Sequence, residues 1–205
     1  MEKALAAWLI LAAASPASMT SPTEVIKVAV EQVAQVAEDA DLGRPGAGEQ
    51  RRLEIRRIAD NLFDFQEMAR RSLARHWTDR TTEQRQEFVR LFTDLLERVY
   101  FGKLENYSAE RILYVGETVD GDYATVRSKI VIGNKGELPI EYRLHLVGSR
   151  WAVYDVLIDG MSFVSTYRAQ FNRVIQTSSY DDLVEKLRLK EMENTSAAER
   201  NARKP

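Results

Sequence analysis

Two hydrophobic periods alternate along the chain, and the switch between them divides it. Ser21-Pro22-Thr23-Glu24 has the form of a capping box with proline at the first helical position. Val25, Val28, Ala29, Val33 and Val36 then recur at helical spacing. This predicts a first helix that stops before Leu42 to Gly48, a stretch rich in glycine and proline. A second helical pattern covers Glu49 to Asn61, with Leu53, Ile55 and Ile58 apolar. Asp64-Phe65-Gln66-Glu67 opens a short third helix that turns Met68 and Leu73 inward. Thr81-Thr82-Glu83-Gln84 is another capping box and opens the longest predicted helix, Thr82 to Leu104. Its apolar face is wide and aromatic, carrying Phe88, Leu91, Phe92, Leu95, Leu96, Val99 and Tyr100.

Beyond this helix the period falls to two. Arg111 to Val119, Tyr123 to Ile132, Leu138 to Val147 and Arg150 to Ile158 read as strands. Asp120-Gly121 and Gly148-Ser149 read as two-residue hairpin turns. That register sets Val115 opposite Val126, Leu144 opposite Val153, Leu146 opposite Trp151 and Tyr142 opposite Asp155. A two- or four-residue loop at Gly133 to Gly136 would place Val126 and Ile130 on the face of Arg143 and His145. An odd loop or a bulge is therefore expected, returning Tyr142 and Leu144 to the apolar face. Two helices close the chain: Met161 to Thr177, and a last one capped by Ser179 with Leu183, Val184 and Leu187 on its face.

The order of elements predicts an α+β fold. Its parts are a helical N-terminal half, a four-stranded antiparallel meander curved into a half-cone, and C-terminal helices. The long helix and the helix after the last strand are expected to cover one sheet face. An apolar cavity is expected between sheet and helices.

Composition narrows the function. The 205 residues carry a formal net charge of -2, which gives no case for nucleic-acid binding. There is no cysteine, which excludes disulfides, thiolate metal sites and a cysteine nucleophile. With only two histidines, His76 and His145, no His-rich metal site is expected. Lys3 precedes an apolar run from Ala4 to Ala14, followed by the small residues Ser15, Ala17 and Ser18. This has the order of a secretory signal cleaved near Ala17 or Ser18. The run is too short for a membrane span, which takes about 20 apolar residues. The expected organisation is a signal peptide over 1–18, one α+β domain over 21–189 and a polar tail over 190–205.

Catalytic motifs are absent: there is no G-x-S-x-G, H-E-x-x-H, P-loop or G-x-G-x-x-G. The best enzymatic pairing is Asp155 with Tyr142, a carboxylate and a phenol of the kind used in general-base chemistry. The plainer reading is a hydrogen-bonded pair that orders the sheet. Asp159 before Gly160 reads as a turn residue. Arg70, Arg71 and Arg75 read as a solvated charged face, with docking to anionic lipid or an acidic partner as the alternative. The aromatic stripe of the long helix reads as core or as the wall of a ligand pocket.

The run Phe63-Asp64-Phe65-Gln66-Glu67-Met68-Ala69-Arg70-Arg71-Ser72-Leu73 resembles the signature segment of the MlaC family, also called the toluene-tolerance family. Further likenesses are Trp77 followed by Thr81 to Gln84 and Phe88, then Tyr142-Arg143-Leu144 and Trp151 to Val156. Gly160-Met161-Ser162 and Tyr167 to Phe171 complete the set, so the likeness runs from about Ser21 to Leu187. The resemblance implies a monomeric periplasmic carrier of phospholipid, not an enzyme, with no cofactor and with lipid as cargo. Its implied partners are an outer-membrane lipoprotein–porin complex and an inner-membrane ABC transporter complex. Some relatives are linked to hopanoid synthesis, which widens the lipid class. The side chains expected to line the acyl chains are Phe88, Phe92, Leu95, Val99, Tyr100, Val115, Val126, Ile130, Tyr142, Leu144, Val153, Phe163 and Tyr167. The competing expectations are a small-molecule enzyme using Asp155 and Tyr142, or an adaptor with a fully packed core.

Overall fold

The computed structural model describes residues 20–42, 44, 46–101, 111–131, 133 and 136–189. The expected export segment, the tail from Lys190 and the predicted helix end at Leu104 lie outside the described residues.

Local signals place the helices where the pattern put them. Ser21 caps α1 (Pro22–Glu38), its hydroxyl accepting from the Glu24 amide at 3.2 Å. The second helix, α2, spans Gly48–Leu62. Asp64 caps α3 (Phe65–Leu73) by accepting from the Glu67 amide at 2.8 Å. A 3-10 turn, Ala74–His76, follows. Thr81 and Gln84 form a reciprocal capping box at the start of α4 (Thr82–Leu96). The helix then widens into a π-helical turn, Glu97–Phe101, which the spacing did not reveal.

The strands are β1 (Arg111–Asp120), β2 (Tyr123–Val131), β3 (Glu137–Val147) and β4 (Arg150–Ile158). A short β5 (Met161–Ser162) was not expected; it occupies the start of the predicted helix. The sheet is an antiparallel meander in the order β1-β2-β3-β4-β5. Asp159 and Gly160, both at positive φ, form the turn between β4 and β5. The chain closes with α5 (Phe163–Thr177) and α6 (Tyr180–Arg188), the latter capped by Ser179.

The middle register is the expected one. Val131 pairs with Glu137, so the connection has odd length, and Val126 faces Tyr142 while Ala124 faces Leu144. Leu144 opposite Val153 and Leu146 opposite Trp151 also hold. Two expected pairings do not. The first turn is Gly121-Asp122, which sets Val126 opposite Glu117, and a bulge between Tyr114 and Gly116 then ejects Val115 from the ladder. A second bulge at Tyr154 sets Asp155 opposite Arg143 and Tyr142 opposite Val156.

Two large apolar clusters form most of the core among the described residues, and Ile55 and Ala59 form a small third. One side of the sheet (Val126, Leu144, Val153, Val156) packs with Ile26 and Ala29 of α1 and Ile58 and Leu62 of α2. This corrects the expected cover, because the first two helices lie on the sheet and the long helix does not. Instead α4 packs with α3, α5 and α6 in a helical cluster centred on Phe88, Phe92, Tyr167 and Phe171. Glu117 ties sheet to helix, its carboxylate accepting from the Thr23 amide at 2.7 Å in the first turn of α1.

Candidate functional site

A cavity of about 170 Å³ lies between α1, α2 and the sheet. Helix α1 contributes Ile26, Ala29, Val30 and Val33, and α2 contributes Ile55, Ile58, Ala59 and Leu62. Phe63 closes one side, and the sheet supplies Ile112, Ile130 and Tyr142. Tyr142 is the single polar side chain in this lining. Ala29 and Ala59 present only a methyl group each where larger residues would fill the space.

The predicted wall residues divide into groups. Ile130 and Tyr142 line the cavity. Val126, Leu144 and Val153 are fully buried in the same apolar cluster, though not in the cavity wall. Phe163 packs against that cluster and stacks on Tyr100, with ring centroids 4.4 Å apart. Phe88, Phe92, Leu95 and Tyr167 sit inside the helical cluster, with Val99 and Tyr100 at its edge. The Phe92 and Tyr167 rings meet edge-on at 5.3 Å. Val115 is 54% exposed. The sequence reading missed the whole α1 and α2 contribution and Ile112. The signal available was an alanine within each apolar stripe, at Ala29 and Ala59.

The ladder sets Asp155 opposite Arg143, and Tyr142 opposite Val156. The Asp155 side chain is only 4% exposed and accepts from the Ser162 hydroxyl at 2.6 Å and the Val164 amide at 3.1 Å. It thereby caps α5, with Arg143 Nη1 at 3.7 Å. His145 Nε2 lies 3.0 Å from Asp64 Oδ2, and the Asp64 amide donates to the Val153 carbonyl at 2.9 Å. The Phe63-Asp64 segment thus fastens the helices to the bulged strand. Next along, Glu67 accepts from Arg70 at 2.6 Å and from Arg71 at 2.7 Å. Burial by itself would push the Glu67 carboxyl up, but the two arginines outweigh it and hold it below its ordinary value. Arg71 also lies over the Tyr154 ring, 4.1 Å from its centroid. Among the described residues no group of His, Cys, Asp or Glu is arranged to hold a metal.

Side chains of this kind around a void define a class: an α+β protein with an apolar cavity between a helical pair and an antiparallel sheet, the form of a site for an apolar ligand. The family profile described as "MlaC protein" matches residues 27–189, and the chain belongs to that family. It is similar to the toluene tolerance protein ttg2D of Pseudomonas putida, 29% identical over 102 residues, covering 49% of this chain and 47% of that protein. It is also similar to the intermembrane phospholipid transport system binding protein MlaC of Haemophilus influenzae, 27% identical over 121 residues and covering 56% of each. The matched stretches thus span about half the length of these two relatives. A solved structure, the phospholipid-binding protein of Ralstonia solanacearum in complex with a phospholipid, superposes with a TM-score of 0.71 at 28% identity. That match covers 85% of this chain and 97% of the other.

Proposed function

We propose that this protein is a periplasmic carrier that takes the acyl chains of a phospholipid, or a similar membrane lipid, between the α1–α2 pair and the sheet. It moves the lipid between the outer and inner membranes, docking on a lipoprotein–porin complex at one and an ABC transporter complex at the other. The observation that carries the reading is the apolar void of about 170 Å³ in a fold shared with a solved phospholipid complex. No helix among the described residues is long and apolar enough to cross a membrane, and carriage through water needs none.

The size of the void sets the mechanism. A cavity of roughly 150 Å³ takes one benzene, so a void of about 170 Å³ is far too small for two acyl chains. Loading therefore requires α1 and α2 to move away from the sheet. An empty cavity costs about 24 cal/mol per Å³, so one of ~1,000 Å³ would cost on the order of 20 kcal/mol. The void of about 170 Å³ costs at most about 4 kcal/mol on the same scale. The empty carrier thus closes its helices on the sheet, and the lipid props them open. Each buried methylene contributes roughly 0.8 kcal/mol relative to water, which removes most of the barrier to carrying bare chains. A wall with one phenol and no charge holds chains without a demanding set of hydrogen bonds, so delivery stays possible.

Native mass spectrometry of protein purified from cells, with the extracted lipids identified, tests this reading. The expected spectrum shows a mass increment equal to a phospholipid. A protein that emerges bare and takes up no phospholipid from vesicles would refute it.

A further inference from the structure

A second concavity lies between the end of α3 and the first turns of α5. Its volume is about 380 Å³, and Arg75, His76, Ser165, Arg168 and Asn172 are in its wall. No carboxylate lines it. Among the described residues neither Arg75 nor Arg168 has an acidic partner, whereas Arg70 and Arg71 are both tied to Glu67. Two guanidinium charges are therefore held on one concave surface without neutralisation.

Both are also held in place. Asn172 Nδ2 donates to Gln176 Oε1 at 3.2 Å, which turns Asn172 Oδ1 toward α3. That oxygen accepts from Arg75 Nη2 at 2.9 Å and lies 3.0 Å from His76 Nε2. Arg168 Nε donates to the Arg71 carbonyl at 3.0 Å. Arg75 is anchored through Nη2 on Asn172, with its Nε 3.5 Å from His76 Nε2, and Arg168 through Nε alone, which leaves Arg75 Nη1 and the Arg168 terminal amino groups to donate. Fixed forks of this kind suit a tetrahedral oxyanion, and the missing rotamer entropy need not be lost on binding. Ser165 adds a hydroxyl at the same wall.

We infer that this pocket is a binding site for a phosphate-type oxyanion, gripped by Arg75 and Arg168 and separate from the acyl-chain cavity. The group is either free phosphate or the phosphodiester of an anionic lipid head group at a membrane surface. The inference does not rest on the carrier reading, because no residue is shared between the two cavities.

The test has two arms. In the first, inorganic phosphate is titrated into the protein while backbone amide resonances are followed, with chloride at matched ionic strength as control. In the second, sedimentation with phosphatidylcholine vesicles is compared with vesicles that also contain phosphatidylglycerol. The expected result is saturable shifts confined to residues 74–76 and 165–172, or arginine-dependent recruitment to the anionic vesicles, which identifies the head group as the source. Arg75→Gln and Arg168→Gln should each weaken binding about tenfold or more, the value of one charge-assisted contact. Both variants should keep their co-purified lipid and their unfolding temperature. No saturable phosphate shift and no anionic-vesicle recruitment would overturn the inference. So would binding that both substitutions leave intact, or loss of lipid from folded variants, which would show one site rather than two.

Discussion

Ala59→Phe places a ring in the void between α1, α2 and the sheet, and its effect can be worked from the cavity itself. At about 24 cal/mol per Å³, filling all of the roughly 170 Å³ would recover up to about 4 kcal/mol. Overpacking returns about 1–3 kcal/mol of that as strain, and phenylalanine is about 0.5 kcal/mol poorer than alanine in a helix. The lipid-free variant should therefore be as stable as the parent, or up to about 2 kcal/mol more stable. Ligand linkage moves the other way. A lipid present at 100 times its dissociation constant stabilises the parent by about 2.7 kcal/mol, and a plugged variant forfeits this. The assay is thermal unfolding of delipidated protein with and without phospholipid, together with the lipid-to-protein ratio after purification. The expected outcome is an unchanged or raised Tm without lipid, no lipid-induced shift, and no co-purified lipid. A folded Ala59→Phe protein with the parent's lipid content and lipid-induced shift would show that this void does not hold the chains.

Two further outcomes follow from features away from the cavity. Ala74 adopts φ 50 and ψ -123, a region that costs an L-residue about 1–3 kcal/mol. After glycine's own entropy penalty, Ala74→Gly should gain about 1 kcal/mol and raise Tm by about 2–4 °C, and an unchanged or lower Tm in calorimetry would contradict the strain argument. The depressed Glu67 carboxyl contributes stability that is fully present above its ordinary value of 4.5 and is lost as pH falls through its lower folded value. Urea unfolding of the parent and Glu67→Gln should thus show a gap that narrows as pH falls below the ordinary value of 4.5, and a gap that widens toward acid would reverse the assigned sign.

What the sequence determined by itself was everything that is written locally. Hydroxyls at Ser21, Thr81 and Ser179 marked helix starts because capping needs only an oxygen and an amide within one turn. The alternation of Val126, Tyr142 and Leu144 required an odd connection because a one-residue slip would turn each strand inside out. The two bulges could not be read this way. The one at Tyr154 lies where the Asp64 amide takes the Val153 carbonyl, a contact between positions far apart in the chain, and it shifted Asp155 from the position opposite Tyr142 to the one opposite Arg143. Tertiary structure also decided which helices line the void. The faces of α1, α2 and α4 are all apolar at the same period, and period carries no information about what a face meets. The aromatic residues of α4 found one another and those of α5, giving a solid helical cluster. The alanine-interrupted faces of α1 and α2 met the sheet instead, and small side chains there leave the space that larger ones would have filled.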